Sequence, residues 1–185
     1  MFIESLVNQA ANAFGCDVIA SLTDFDGARY MGTWYSQQDS PQVWETDGAT
    51  CVQAIYSNLT KMGHFDVYNR GEDADFNEIT PATADGYCPD QSGKCTISFS
   101  PDFTPFFPNY QVIDTDYDSF ALVYNCRPVT GVFIGLLTRD NIISDELYDQ
   151  IFARAQELVP SYDFSLMNPR HYQGDKCTYY SEQLQ

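Results

Sequence analysis

Basic residues are scarce in this chain. Nine Lys and Arg stand against 26 Asp and Glu, a formal net charge of −17 over 185 residues. Nucleic acid and anionic membrane surfaces would both repel such a chain, so neither is expected as a partner. The plain role of the excess charge is solubility. Histidine is nearly absent too, with only His64 and His171, and no Cys-x-x-Cys pair occurs. Zinc sites usually draw on closely spaced Cys and His, so no metal is expected. No stretch approaches the roughly 20 apolar residues that a membrane-spanning helix needs. The first fifteen residues lack the basic start and unbroken apolar run of a secretion signal.

What is present is aromatic. Thirteen Tyr, thirteen Phe and two Trp favour a β-rich protein with a large aromatic interior over a helical bundle. Six cysteines form an even set better suited to disulfides than to metal, which implies an oxidising compartment. Export is therefore expected, with any signal already removed, and the chain is read as secreted. Asn58-Leu59-Thr60 is an acceptor sequence for glycosylation at Asn58. The length suits one domain, residues 1–185, with a real core.

Along the chain, residues 1–29 read as an arm, with a short helical turn around 3–13. From Tyr30 onward, β-prone runs alternate with turn residues every dozen or so positions. The runs fall at about 31–39, 50–58, 64–70, 75–82, 94–100, 109–115, 118–126 and 131–139, with Asp85-Gly86 taken as a turn. Hairpin-length connections make sequential neighbours antiparallel, and eight such strands can close into an up-and-down barrel without an exposed edge. The period then changes. Ser144 suits an N-cap, Asp145 and Glu146 suit the first turn, and Leu147, Ile151, Ala155 and Leu158 recur at helical spacing. The expectation is an all-β, eight-stranded antiparallel barrel over 31–139 with one C-terminal helix, 144–159, packed outside. A tail, 161–185, carries one short strand-like piece.

Three separated motifs carry a resemblance. They are Asp24-Phe25-Asp26 through Tyr30-Met31-Gly32-Thr33-Trp34-Tyr35, then Thr115-Asp116-Tyr117 through Cys126, and Leu137-Thr138-Arg139, with Cys51 to Ser57 as a fourth local match. In this order they resemble the lipocalins, specifically the apolipoprotein D, bilin-binding and crustacyanin branch. The resemblance runs from about Cys16 to Cys177 and implies a barrel closed at one end and open at the other. In such a barrel Trp34 fills the closed end and Arg139 covers its ring, while Gly32, Thr115, Asp116 and Tyr117 complete a structural motif without a catalytic role. Sequence alone permits fifteen disulfide pairings. The resemblance implies Cys16–Cys126 and Cys51–Cys177, which leaves Cys88 and Cys95, close together across a turn, for each other.

The same resemblance implies a small hydrophobic ligand in the barrel. Positions like Trp44, Tyr110 and Phe133 contact the pigment in bilin-binding relatives, and Phe99, Tyr56 and Tyr68 are further candidates. Strand alternation from Arg139 makes Leu137, Gly135 and Phe133 inward-facing, with Gly135 leaving space and Phe133 and Tyr110 nearer the open mouth. An aromatic wall suits a flat conjugated molecule: a bilin such as biliverdin, a carotenoid or a retinoid. Few cations could anchor bilin propionates; Arg29, Lys61, Arg70 and Arg127 are the ones near turns. The competing class is a lipocalin-fold enzyme acting on a hydrophobic substrate. It lacks a free thiol, and Asp102 and Asp114 are the only acids to check. The reading is a non-enzymatic carrier, with a homo-oligomer left open.

Overall fold

The computed structural model describes residues 17–20, 22–41, 48–102, 104–127 and 131–180. Eight strands follow in sequence: β1 (Gly32–Asp39), β2 (Thr50–Ser57), β3 (His64–Glu72), β4 (Ala82–Tyr87), β5 (Lys94–Ser98), β6 (Tyr110–Thr115), β7 (Phe120–Arg127) and β8 (Gly131–Thr138). Each pairs antiparallel with its neighbour, and β1 pairs with β8 to close the barrel. A single helical turn, α1 (Gly27–Tyr30), precedes the barrel and α2 (Asp145–Leu158) follows it. Asp26 caps α1 by accepting from the amides of Ala28 and Arg29. Ser144 caps α2 by accepting from the Leu147 amide, with Asp145 and Glu146 in its first turn. The expected barrel and outer helix are both present.

The alternation of the strands separates two apolar layers. Inside lie Trp34, Tyr56, Phe65, Val67, Ile97, Val112, Ala121, Val123 and Leu137, joined by Phe25 and Tyr30 from the arm. Outside, Ile113, Leu122, Tyr124, Ile134 and Leu136 meet Ile151 and Ala155 of α2, and Val159 just beyond it. Neighbouring residues of β7 and β8 thus serve opposite layers, as a period of two requires.

One strand is displaced from its expected place. The sequence predicts a strand at 75–82, but β4 occupies Ala82–Tyr87. Asp73 explains the shift: its carboxylate accepts from the amides of Asp75 and Asn77 and from the Asn77 side chain, holding those residues in a turn. Gly86, taken as a turn residue, pairs with Phe65 and Ile97 in mid-sheet. A Cβ there would stand 2.3 Å from the Phe65 ring, so the glycine makes room for an interior aromatic.

Cys51–Cys177 ties the tail to β2, and Cys88–Cys95 spans the β4–β5 turn. Cys126 is disulfide-bonded, but its expected partner Cys16 lies outside the described residues, as does the helical turn expected at 3–13. Among described residues the tail forms a 3-10 turn, Phe164–Leu166, rather than a strand. Its backbone still bonds to the barrel, with the Asn168 amide on Asp39, the His171 amide on Gln37 and the Tyr172 carbonyl on Cys51.

Candidate functional site

The closed end is built around Trp34, which has no exposed surface. Its indole N–H donates to the Tyr30 carbonyl at 2.9 Å, so the buried donor is satisfied. The preceding Gly32 sits at φ 100°, a backbone region that a side chain would strain. The Arg139 guanidinium lies 3.7 Å from the Trp34 ring centroid. It also donates to the carbonyls of Tyr117 (2.9 Å), Thr33 (2.8 Å), Arg29 (2.7 Å), Met31 (2.9 Å) and Tyr30 (3.3 Å). One planar cation therefore joins all three sequence motifs.

The β6–β7 turn supplies the rest of this end. Asp116 accepts from the amides of Asp118, Ser119 and Phe120 and from the Ser119 hydroxyl. Burial pushes its pKa upward, yet these hydrogen bonds win and hold the carboxyl below the ordinary carboxylate range. Thr115 accepts the Tyr117 amide and donates to the Phe120 carbonyl. Tyr117 adopts φ 70° and accepts the Asp26 amide on its hydroxyl.

Above the plug lies a layer of tyrosines. The Tyr110 hydroxyl is 2.6 Å from that of Tyr30 and 2.9 Å from that of Tyr56. The Tyr30 and Tyr56 rings stack at 5.6 Å, and Phe65 meets Tyr56 edge-on. Burial pushes the Tyr56 phenol up to about 12 and raises Tyr30 and Tyr110 as well, so all three are neutral donors at physiological pH.

The proposed ligand contacts are distributed unevenly. Tyr56 and Tyr110 are brought together in the interior, but Tyr110 lies deep rather than near the mouth, because it pairs with Cys95 at the start of β5. Phe133 packs against the interior layer from β8. The space expected over Gly135 is not open: a Cβ there would stand 3.3 Å from the Phe133 ring, which has folded over the glycine. Phe99 is 58% exposed just beyond β5. Tyr68 lies on the outer face, against Tyr180 of the tail, because its neighbour Val67 points inward. Trp44 lies outside the described residues.

Sequence reasoning passed over Phe25, Tyr30 and Phe65 as interior residues. The alternation of Phe65 and Val67 was a legible signal and would have placed Tyr68 outside. Tyr30 stands in α1, where strand alternation gives no guidance.

Two of the candidate cations, Arg29 and Arg70, are engaged elsewhere. Arg29 pairs with Asp118 and stacks on Tyr117 at the closed end. Arg70 is buried on the outer face beside Glu72 and Tyr180. Lys61 stands in the β2–β3 turn at the closed end, and nothing is described of the Arg127 side chain. Of the acids, Asp102 lies in the loop after β5, and Asp114 accepts from Arg154 of α2 on the barrel exterior. His171 binds Asp39 at 3.0 Å, and Ser36 donates to the same carboxylate oxygen at 3.3 Å. The acid stands between Ser and His, so the histidine cannot take the serine proton; this group clamps the tail to β1. Cys51, Glu72 and Cys177 come close enough to hold an ion, but both sulfurs are spent in their disulfide. No helix among the described residues is long and apolar enough to cross a membrane.

A family profile described as a lipocalin-like domain matches residues 25–171. The chain belongs to the lipocalin family, whose members bind small hydrophobic ligands. It is 29% identical over 122 residues to the Lazarillo protein of Schistocerca americana, covering 63% of this chain and 54% of that one. It is 34% identical over 113 residues to apolipoprotein D of Bos taurus, covering 60% and 56%. The chain thus spans a little over half the length of these curated relatives. Among solved structures, insecticyanin from Manduca sexta superposes with a TM-score of 0.69 at 21% identity over 90% of each chain. Lobster apocrustacyanin A1 gives 0.65 at 20% identity over 82% of each. At such identities the structural likeness shows the fold alone.

Proposed function

We propose that this protein is an extracellular carrier or pigment protein that holds one small apolar conjugated ligand in the barrel without transforming it. A bilin such as biliverdin is the first choice and a carotenoid or retinoid the next. The observation that carries this reading is the interior itself: its buried apolar layer is aromatic and aliphatic, and it carries the linked hydroxyls of Tyr30, Tyr56 and Tyr110. Such walls favour burial and stacking of a flat molecule. Tyr56, Tyr110 and Phe133 are the contacts proposed inside the barrel, with Phe99 at its rim and Trp44 as a further proposed contact. A ligand that uses the space over Gly135 has to displace the Phe133 ring. The disulfides support an oxidising compartment. Asn58, exposed in the β2–β3 turn, is the proposed glycan site.

The test is a titration with biliverdin, astaxanthin, retinol and a fatty acid, followed by absorption and tryptophan emission. Binding of a conjugated ligand tighter than about 10 μM, near −7 kcal/mol, is expected. Phe133→Ala and Trp44→Ala should each weaken it. Failure of every ligand to reach that affinity overturns the reading, and chemical change of a bound ligand over time favours an enzyme instead.

A further inference from the structure

The closed end carries a cavity. A cleft of about 620 Å³ lies between α1 with the arm before it, the β2–β3 turn and the β4–β5 turn. That volume is within the usual range for small-molecule sites, roughly 300–1,000 Å³. It opens away from the barrel mouth, since Leu59 to Gly63 and Cys88 to Gln91 are turns of the same end as Trp34.

Its walls are tied to one another. The Phe25 amide donates to the Gln91 carbonyl at 2.8 Å, joining the arm to the β4–β5 turn. The Cys88 amide donates to the Gly63 carbonyl at 3.0 Å, joining the two turns. The Cys88–Cys95 disulfide secures the same wall. A cleft bounded by fastened loops is formed before any ligand arrives, which lowers the cost of binding.

The chemistry of the lining selects the ligand. Tyr30 and Tyr110, two of the hydroxyl-linked tyrosines, contribute to the inner wall beside Phe65. Three hydroxyls bring three hydrogens, and the two bonds among them use two. One buried O–H donor is therefore left over in this layer, and a buried donor seeks an acceptor. Leu59 and the largely exposed Met62 give the cleft an apolar rim. Two of its acids are engaged as local caps, Asp26 on Ala28 and Arg29, and Asp90 on the Ser92 amide. Three acids, Asp24, Asp26 and Asp90, line the cleft against one cation, Lys61, and this surplus with a net charge of −17 disfavours an anion.

From this arrangement we infer that the closed-end cleft is a second binding site, for a neutral aromatic molecule bearing a carbonyl acceptor. The aromatic part lies against Phe65 and the rim, and the carbonyl oxygen accepts the spare tyrosine hydrogen. The cleft opens at the end opposite the barrel mouth and shares Tyr110 with the contacts proposed for the pigment, but the inference does not depend on the pigment reading.

Benzophenone is the probe, because it has the required chemistry and, on irradiation, bonds covalently to nearby C–H groups. Saturable labelling of the peptide containing Leu59–Gly63 is expected with the barrel unloaded. Diphenylmethane, which lacks the carbonyl, should compete about five- to tenfold less well, and anionic 4-benzoylbenzoate should compete poorly. Tyr30→Phe with Tyr110→Phe should remove the preference for the carbonyl. Leu59→Glu with Met62→Glu changes only the rim and should abolish labelling while leaving pigment titration intact. Labelling confined to β8 peptides, equal competition by diphenylmethane, or full labelling of the rim variant overturns the inference. Loss of pigment binding alone overturns the carrier reading and leaves this site standing.

Discussion

Replacing Arg139 should uncouple the closed end of the barrel. Its guanidinium covers the Trp34 ring at 3.7 Å and donates to carbonyls of Thr33 and Tyr117 and of the α1 segment. A shielded cation–π contact contributes about 1–2 kcal/mol. A hydrogen bond from a charged group contributes roughly 1.5–3 kcal/mol, but bonds sharing one group do not add fully. Arg139→Ala would also leave partly buried carbonyls without their donor, so a loss of about 3–5 kcal/mol is expected. With a urea dependence of about 2 kcal/mol per molar, the midpoint should fall by roughly 1.5–2.5 M. Arg139→Lys should recover only a small part, because a point-like ammonium cannot both stack and reach several carbonyls. The assay is equilibrium unfolding in a Trp44→Phe background, where emission reports Trp34 alone. A loss below about 1 kcal/mol for Arg139→Ala would refute the view that this residue joins the three motifs.

Three further outcomes are expected. Gly86→Ala places a Cβ 2.3 Å from the buried Phe65 ring and should cost about 1–3 kcal/mol by overpacking, measured by thermal unfolding. The raised folded pKa of Tyr56, about 12, makes its contribution complete below the unfolded value near 10 and lost as pH rises through 12; phenolate absorbance should therefore appear late and together with alkaline unfolding. Asp116 has the opposite sign: its lowered pKa gives stability above the unfolded value that is lost as pH falls, so Asp116→Asn, which keeps an acceptor oxygen, should flatten the acid limb of stability against pH.

The sequence by itself determined the barrel, the outer helix and the composition of the closed end. Hairpin-length spacing, a change of period at Ser144 and three motifs in order are local signals that no packing detail could reverse. The carrier reading also began there, in the resemblance that the three motifs carry, with the abundance of aromatics beside it. What alternation alone could not decide was depth. The aromatic loop before Tyr110 points to a place near the mouth, whereas its pairing with Cys95 sets it deep beside Tyr30 and Tyr56. Gly135 reads as empty space in sequence, but only a folded neighbour shows that the Phe133 ring occupies it. β4 moved because the Asp73 side chain captured amides that propensity had assigned to a strand. The closed-end cleft has no sequence signature at all. It exists because three turns distant in the chain are fastened side by side by backbone hydrogen bonds and one disulfide, and such cross-connections are created only by closing the barrel.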